Sequence, residues 1–122
     1  MLPVRAGETF RFADLEYDVS GLKTLINTRP ERYGPHLTEI DESLLHHLSL
    51  YATPDEQRIA ALTTAELNIP CIAVQTPDGT ARFVDGFHRI QRRWRDGLRT
   101  VQIYSVPPVR LRGYVRRIVS DR

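Results

Sequence analysis

The stretch Val84-Asp85-Gly86-Phe87-His88-Arg89 brings a glycine, an imidazole and a guanidinium together where the apolar pattern changes from period two to helical spacing. These residue types at a helix entry suit the holding of an oxyanion. A helix start leaves backbone N–H groups without internal partners and carries partial positive charge. Glycine there permits an unusual dihedral and close approach of a ligand to the main chain. His88 and Arg89 add side-chain donors, and the set together makes a phosphate cradle. A plainer alternative stands beside it: Gly86 only makes a strand-to-helix turn, and the two side chains face water.

Other groupings offer less. His36, His46, His47 and His88 lack zinc spacing and Cys71 is the only cysteine, so no zinc is expected. Ser43 or Ser105 with a histidine defines no triad without geometry. Trp94 falls at core spacing, while Tyr104 and Tyr114 lie near arginines and could stack on bases.

The elements that must position the glycine turn follow from punctuation. Phe10–Tyr17 alternates weakly and suggests a short strand or arm, and Ser20 reads as the cap of a short helix that Pro30 stops. His36–Ile40 suggests a short strand, and Asp41–Tyr51 is open between a helical turn and irregular chain. Thr53-Pro54-Asp55-Glu56 has the form of a capping box, with an apolar stripe running on to about Asn68. Cys71–Gln75 and Thr80–Val84 form a hairpin about the turn Thr76–Gly79. A helix from residue 87 ends at a left-handed Gly97, and Arg99–Val106 is a closing strand. The tail beyond Pro107-Pro108 alternates apolar residues with arginine and could be strand, helix or an arm ordered by a partner. This order predicts an α+β fold, a small mixed sheet with helices packed on it, in a single domain. It divides into an extension over 1–36, a core over 37–106 and a basic tail over 107–122.

Composition narrows the function classes. The apolar share of 41% supports a packed core, and 122 residues suit one domain. No apolar run is long enough to span a membrane, and the start of the chain does not read as a signal peptide, so a cytoplasmic protein without a membrane partner is expected. Residues 1–81 carry net −6 and residues 82–122 net +8, with Lys23 the only lysine. Arginine offers a planar fork that fits phosphate, which suits the C-terminal third to a phosphate-bearing partner. A solvated basic face is the equal alternative.

The segment VDGFHRIQRRWRDGLRTVQIYSV resembles the central motif region of the ParB/sulfiredoxin-like superfamily, in which a Gly-x-His-Arg signature stands where a strand enters a helix. The likeness extends upstream through IPCIAV and the hairpin to cover residues 37–105. It implies a standalone nucleotide-binding domain of that fold. Gly86, the Phe87 amide, His88 and Arg89 would hold the phosphates of an ATP- or CTP-type nucleotide, with Mg²⁺, for hydrolysis or phosphoryl transfer. Sulfiredoxins carry their catalytic cysteine where this chain has Phe87, so sulfinic-acid reduction is not expected, and Cys71 reads as a small buried residue. Free-serine kinases of the superfamily have an Asp-Gly-His-His-Arg version and add a carboxylate base. Glu39, Asp41 and Glu42 are the candidates for that base here, with a solvated acidic loop as their alternative. Asp85 is a candidate helix cap or magnesium ligand. The competing function is a plasmid- or phage-type module binding DNA, RNA or protein, with an inactive nucleotide pocket. Its nucleic-acid contacts would be Arg92, Arg93, Arg110, Arg112, Arg116 and Arg117.

Overall fold

The computed structural model describes residues 1–50 and 52–118. Tyr51 and the last four residues of the basic tail, which the sequence reading included, lie outside the described residues.

Among the described residues, seven strands and five α-helices form an α+β fold with two sheets. The larger sheet has four strands in the order β3 (His36–Glu39), β6 (Thr100–Val106), β4 (Cys71–Gln75), β5 (Ala81–Asp85). It is mixed: β4 and β6 run parallel, whereas the β4–β5 and β3–β6 pairs are antiparallel. Helix α5 (Phe87–Arg95) carries the chain from β5 to β6, past β4. The second sheet is antiparallel, β1 (Thr9–Phe12), β2 (Leu15–Asp18), β7 (Val115–Arg117).

Strand alternation divides the core between the two faces of the larger sheet. Ile72, Val74, Val84, Tyr104 and Val106 pack with Val19, Leu22 and Ile26 of α1 (Val19–Thr28) and with Tyr17 of the second sheet. Cys71, Ala73, Phe83 and Val101 pack on the other side with Leu48 of α2 (Glu42–Ser49) and Ile90 of α5. Among the described residues, no helix is long and apolar enough to cross a membrane.

Several local expectations are corrected. The strand expected over Phe10–Tyr17 is a hairpin of β1 and β2. The cap of α1 is Asp18, which accepts from the Gly21 amide at 2.9 Å, while the Ser20 hydroxyl accepts from the Glu8 amide. The helix expected from Thr53 to Asn68 is two short ones, α3 (Glu56–Ala61) and α4 (Thr64–Leu67). Asp55 caps the first. Leu62 is extended, and Thr63 and Glu66 form a capping box on the second. A hydroxyl followed three residues later by a carboxylate gives the backbone a local alternative to continuing the helix. Asp41–Tyr51 resolves into α2, with the Asp41 carboxylate accepting from the Leu44 amide. The tail supplies β7: Tyr17, Glu16 and Leu15 oppose Val115, Arg116 and Arg117. Extension and tail thus build one sheet together.

Truncating Ile90, which is fully buried, to alanine should cost about 2–5 kcal/mol. Leu37→Ala, at a side chain 69% exposed, should change stability by no more than about 0.5 kcal/mol. Urea unfolding midpoints of the two variants check both.

Candidate functional site

The glycine turn is held from inside. Gly86 is the N-cap of α5 with φ of +104°, a left-handed conformation that side chains rarely adopt. Its main chain packs on Cys71: a Cβ on Gly86 would lie 2.6 Å from the Cys71 Cβ. The missing side chain therefore makes room for the core rather than for a ligand. Cys71 is buried, as expected, with its thiol 3.7 Å from the Gly86 carbonyl. Burial pushes the thiol up to about 11, against the opposing pull of Arg89. Among the described residues no side chain caps α5, and Asp85 does not take the capping role considered for it.

Gly86, Phe87 and His88 line a cavity of about 380 Å³ with Glu8, Thr53 and Arg58. Arg89 lines a different cavity, of about 370 Å³, together with Arg5, Lys23 and Glu66. The two cavities share Glu8, Arg58 and Asp85 along their walls. His88 and Arg89 therefore diverge, and the compact four-residue cradle drawn from sequence is not assembled. His88 leans on α3, its Nε2 accepting from the Asp55 amide at 3.3 Å. That bond requires an unprotonated Nε2. Consistently, burial, and next the Arg58 charge, hold the His88 pKa below its usual value, while Asp55 acts weakly the other way. Arg89 turns inward instead. Its Nη2 donates to Asp85 Oδ2 at 3.0 Å and to the Pro70 carbonyl at 3.3 Å. Its Nε is buried without a hydrogen-bond partner.

A charged chain runs along the shared wall. Lys23, 6% exposed, donates from Nζ to both Glu8 carboxylate oxygens at 3.0 and 3.1 Å, and lies 3.8 Å from Asp85. Burial alone would raise the Glu8 pKa, but the Arg5 amide and the Lys23 ammonium outweigh it and keep the group below its ordinary value. The Arg5 and Arg58 guanidinium groups have no close ion-pair partner among the described residues; Arg5 still acts at longer range on Glu8 and Glu66, which leaves Arg58 as the uncommitted cation of the wall.

The remaining candidates are scattered. Glu39, Asp41 and Glu42 line neither cavity. Glu39 ends β3, at the sheet edge opposite β5 and so about 14 Å away across three strand spacings. Asp41 is occupied in capping α2. Arg92 and Arg93 face protein: Arg92 donates to the Ile59 carbonyl and to Asp96, and Arg93 to the Leu67 and Thr100 carbonyls. Arg110, Arg112, Arg116 and Arg117 are all exposed, and of these Arg116 pairs with Glu16 and Arg117 with Asp14. Among the described residues no cluster of three His, Cys, Asp or Glu side chains could hold a metal. Sequence reasoning missed Glu8, Lys23 and Arg58. The lone lysine, placed on the apolar face of a helix beside Leu22 and Ile26, was the one signal available.

No protein-family model matches the chain, and neither a curated protein nor a solved structure matches it.

Gly86→Ala should destabilise the fold by at least about 1–2 kcal/mol, since a left-handed residue with a Cβ is strained even before it meets Cys71. A urea midpoint matching wild type would contradict that. Cys71 should resist a thiol reagent at pH 8 in the native state and react at once in denaturant, a contrast that a simple colorimetric assay reads.

Proposed function

We propose that the joined cavities at the start of α5 bind the phosphate chain of an ATP- or CTP-type nucleotide. The observation that carries this reading is the first turn of α5, which no side chain among the described residues caps and which borders a cavity walled by Arg58, itself without a close ion-pair partner among them. Backbone donors and a free guanidinium around a cavity of a few hundred Å³ suit a ligand of that size and charge. The resemblance of Gly86–Arg89 and its strand–turn–helix–strand setting to the ParB/sulfiredoxin-like superfamily supports the same ligand and a fold of that kind.

The geometry changes the roles within the reading. An extended anion would start at the Phe87 and His88 amides, pass Arg58, and reach Arg5, Lys23 and Arg89 in the second cavity. His88 is neutral when its Nε2 accepts from Asp55, so the early positive charge comes from Arg58. Arg89 acts chiefly by holding Asp85 and the end of the strand in place. Glu8 and Asp85 are already engaged by Lys23 and Arg89, so these residues do not make a free carboxylate pair for Mg²⁺. A magnesium ion would come with the nucleotide. Among the described residues the carboxylates on these walls are engaged, Glu8 by Lys23, Asp85 by Arg89 and Glu66 by Thr63, so the reading is of a binding site.

Calorimetry with ATP, CTP, ADP and pyrophosphate, with and without Mg²⁺, tests it. Arg58→Gln should weaken binding at least about tenfold, a loss of about 1.4 kcal/mol. At 100 times Kd, the ligand should stabilise the wild-type fold by about 2.7 kcal/mol. Absence of heat and of thermal shift for all four ligands, or an Arg58→Gln protein binding like wild type, would overturn the reading. A phosphate beside His88 favours its protonated form, so bound His88 titrates higher than free His88. Wild-type affinity should therefore gain, relative to His88→Asn, as the pH falls through the bound-state value, and the gain should level off below the free-state value.

A further inference from the structure

We propose a second ligand site, on the side of the larger sheet that carries the second sheet, for a small carboxylic acid with an apolar, preferably aromatic, body. A cavity of about 610 Å³ opens where the second sheet meets the tip of the β4–β5 hairpin and the turn after β6. It shares no lining residue with the two cavities at α5. Its walls are largely apolar, from Leu15, Val115, Pro77, Pro108 and Leu111.

One charged group is built into that wall. Arg82, on the same face of β5 as Val84, is half-buried. Its guanidinium carbon stands 3.8 Å over the Phe12 ring, and its Nη1 reaches the Tyr17 hydroxyl at a long 3.4 Å. Stacking on a ring fixes the plane of the guanidinium and leaves most of its N–H donors unused. Among the described residues no carboxylate pairs with it. Asp78, also on the wall, spends its carboxylate on the Thr76 hydroxyl and the Thr80 amide, which with Arg82 nearby hold its pKa at about 2. Arg112, exposed on the same wall, has no ion-pair partner among the described residues either.

Charge complementarity and shape then select the occupant. A planar, fixed guanidinium matches a carboxylate through two parallel hydrogen bonds. The apolar walls reward a ring or branched chain and penalise a bare phosphate, whose remaining oxygens would lose water without gaining donors. A neutral ligand of the same shape would leave Arg82 unpaired.

The test uses the full chain and follows the methyl resonances of Leu15, Leu111 and Val115 by NMR. The probes are 4-methylbenzoate, its neutral counterpart 4-methylbenzyl alcohol, and inorganic phosphate. The benzoate should give saturable shifts at roughly millimolar concentration, as befits a ligand of that size. The alcohol should bind at least tenfold more weakly, and phosphate should leave the three methyl groups unmoved. Arg82→Gln should weaken benzoate at least tenfold and Arg112→Gln severalfold, while Arg58→Gln should change nothing, which separates this site from the nucleotide reading. Should Arg82→Gln fail to fold, the benzoate–alcohol contrast and Arg112→Gln, at an exposed position, decide the matter. No saturable shift with benzoate, equal binding of the alcohol, or full benzoate affinity in the folded Arg82→Gln and Arg112→Gln proteins would each overturn the proposal.

Discussion

The contact between Gly86 and Cys71 is the constraint around which the rest of the molecule is arranged. β5 must end and α5 must begin within one residue, and that residue lies against the first residue of β4. Only a residue without a Cβ can turn left-handed there and still let the strand keep its place beside β4. Once the turn is made, Ile90 drops onto the same face as Cys71 and Phe83, and the helix axis is set. The open first turn of α5 is a consequence of this packing. A glycine cap has no side chain to offer the helix amides, so they are left for something else to satisfy.

Charge does the work of joining the extension to the core. Glu8 precedes β1, Lys23 is on α1, Asp85 ends β5 and Arg89 is one turn into α5, yet the four form one chain of ion pairs. Burying such groups costs desolvation that pairing roughly offsets, so the network adds little net stability, while loss of any one member would leave a charge unpaired. Its effect is to hold the start of the chain over the glycine turn. The site is therefore walled by residues as distant in sequence as Arg5 and Arg89, and the N-terminal segment belongs to it as much as the helix does.

The arginine-rich composition has a second explanation in the fold. Short helices end with carbonyls that have no internal partner, and α3 and α4 are very short. Arg92 donates to the end of α3 through Ile59 and Ala60, and Arg93 to the end of α4 through Leu67. Arginine suits this because one planar fork reaches several acceptors. Arg99 lies over the Trp94 ring and donates to its carbonyl, closing the end of α5. Much of the positive charge that suggests a polyanion partner is thus used to fasten helices. Arg5 and Arg58, which face the cavities, come from the acidic part of the sequence.

Residue order alone sets the local elements wherever one residue type has one physical use. The Thr76–Gly79 turn, the hairpin around it, the strand-to-helix switch at Gly86 and the left-handed Gly97 were all legible, because glycine reaches left-handed dihedrals that other residues avoid, proline fixes φ and aspartate hydrogen-bonds the nearby backbone. The α+β order of elements followed from them. Where several caps compete, as Thr53, Asp55 and Thr63 do, the nearby signals are nearly equal in strength and tertiary packing chose. That extension and tail share a sheet, that His88 and Arg89 part, and that Glu8, Lys23 and Arg58 meet came from the packing of whole elements. Side-chain direction and contacts between distant positions depend on how whole elements pack, and no short-range pattern encodes that.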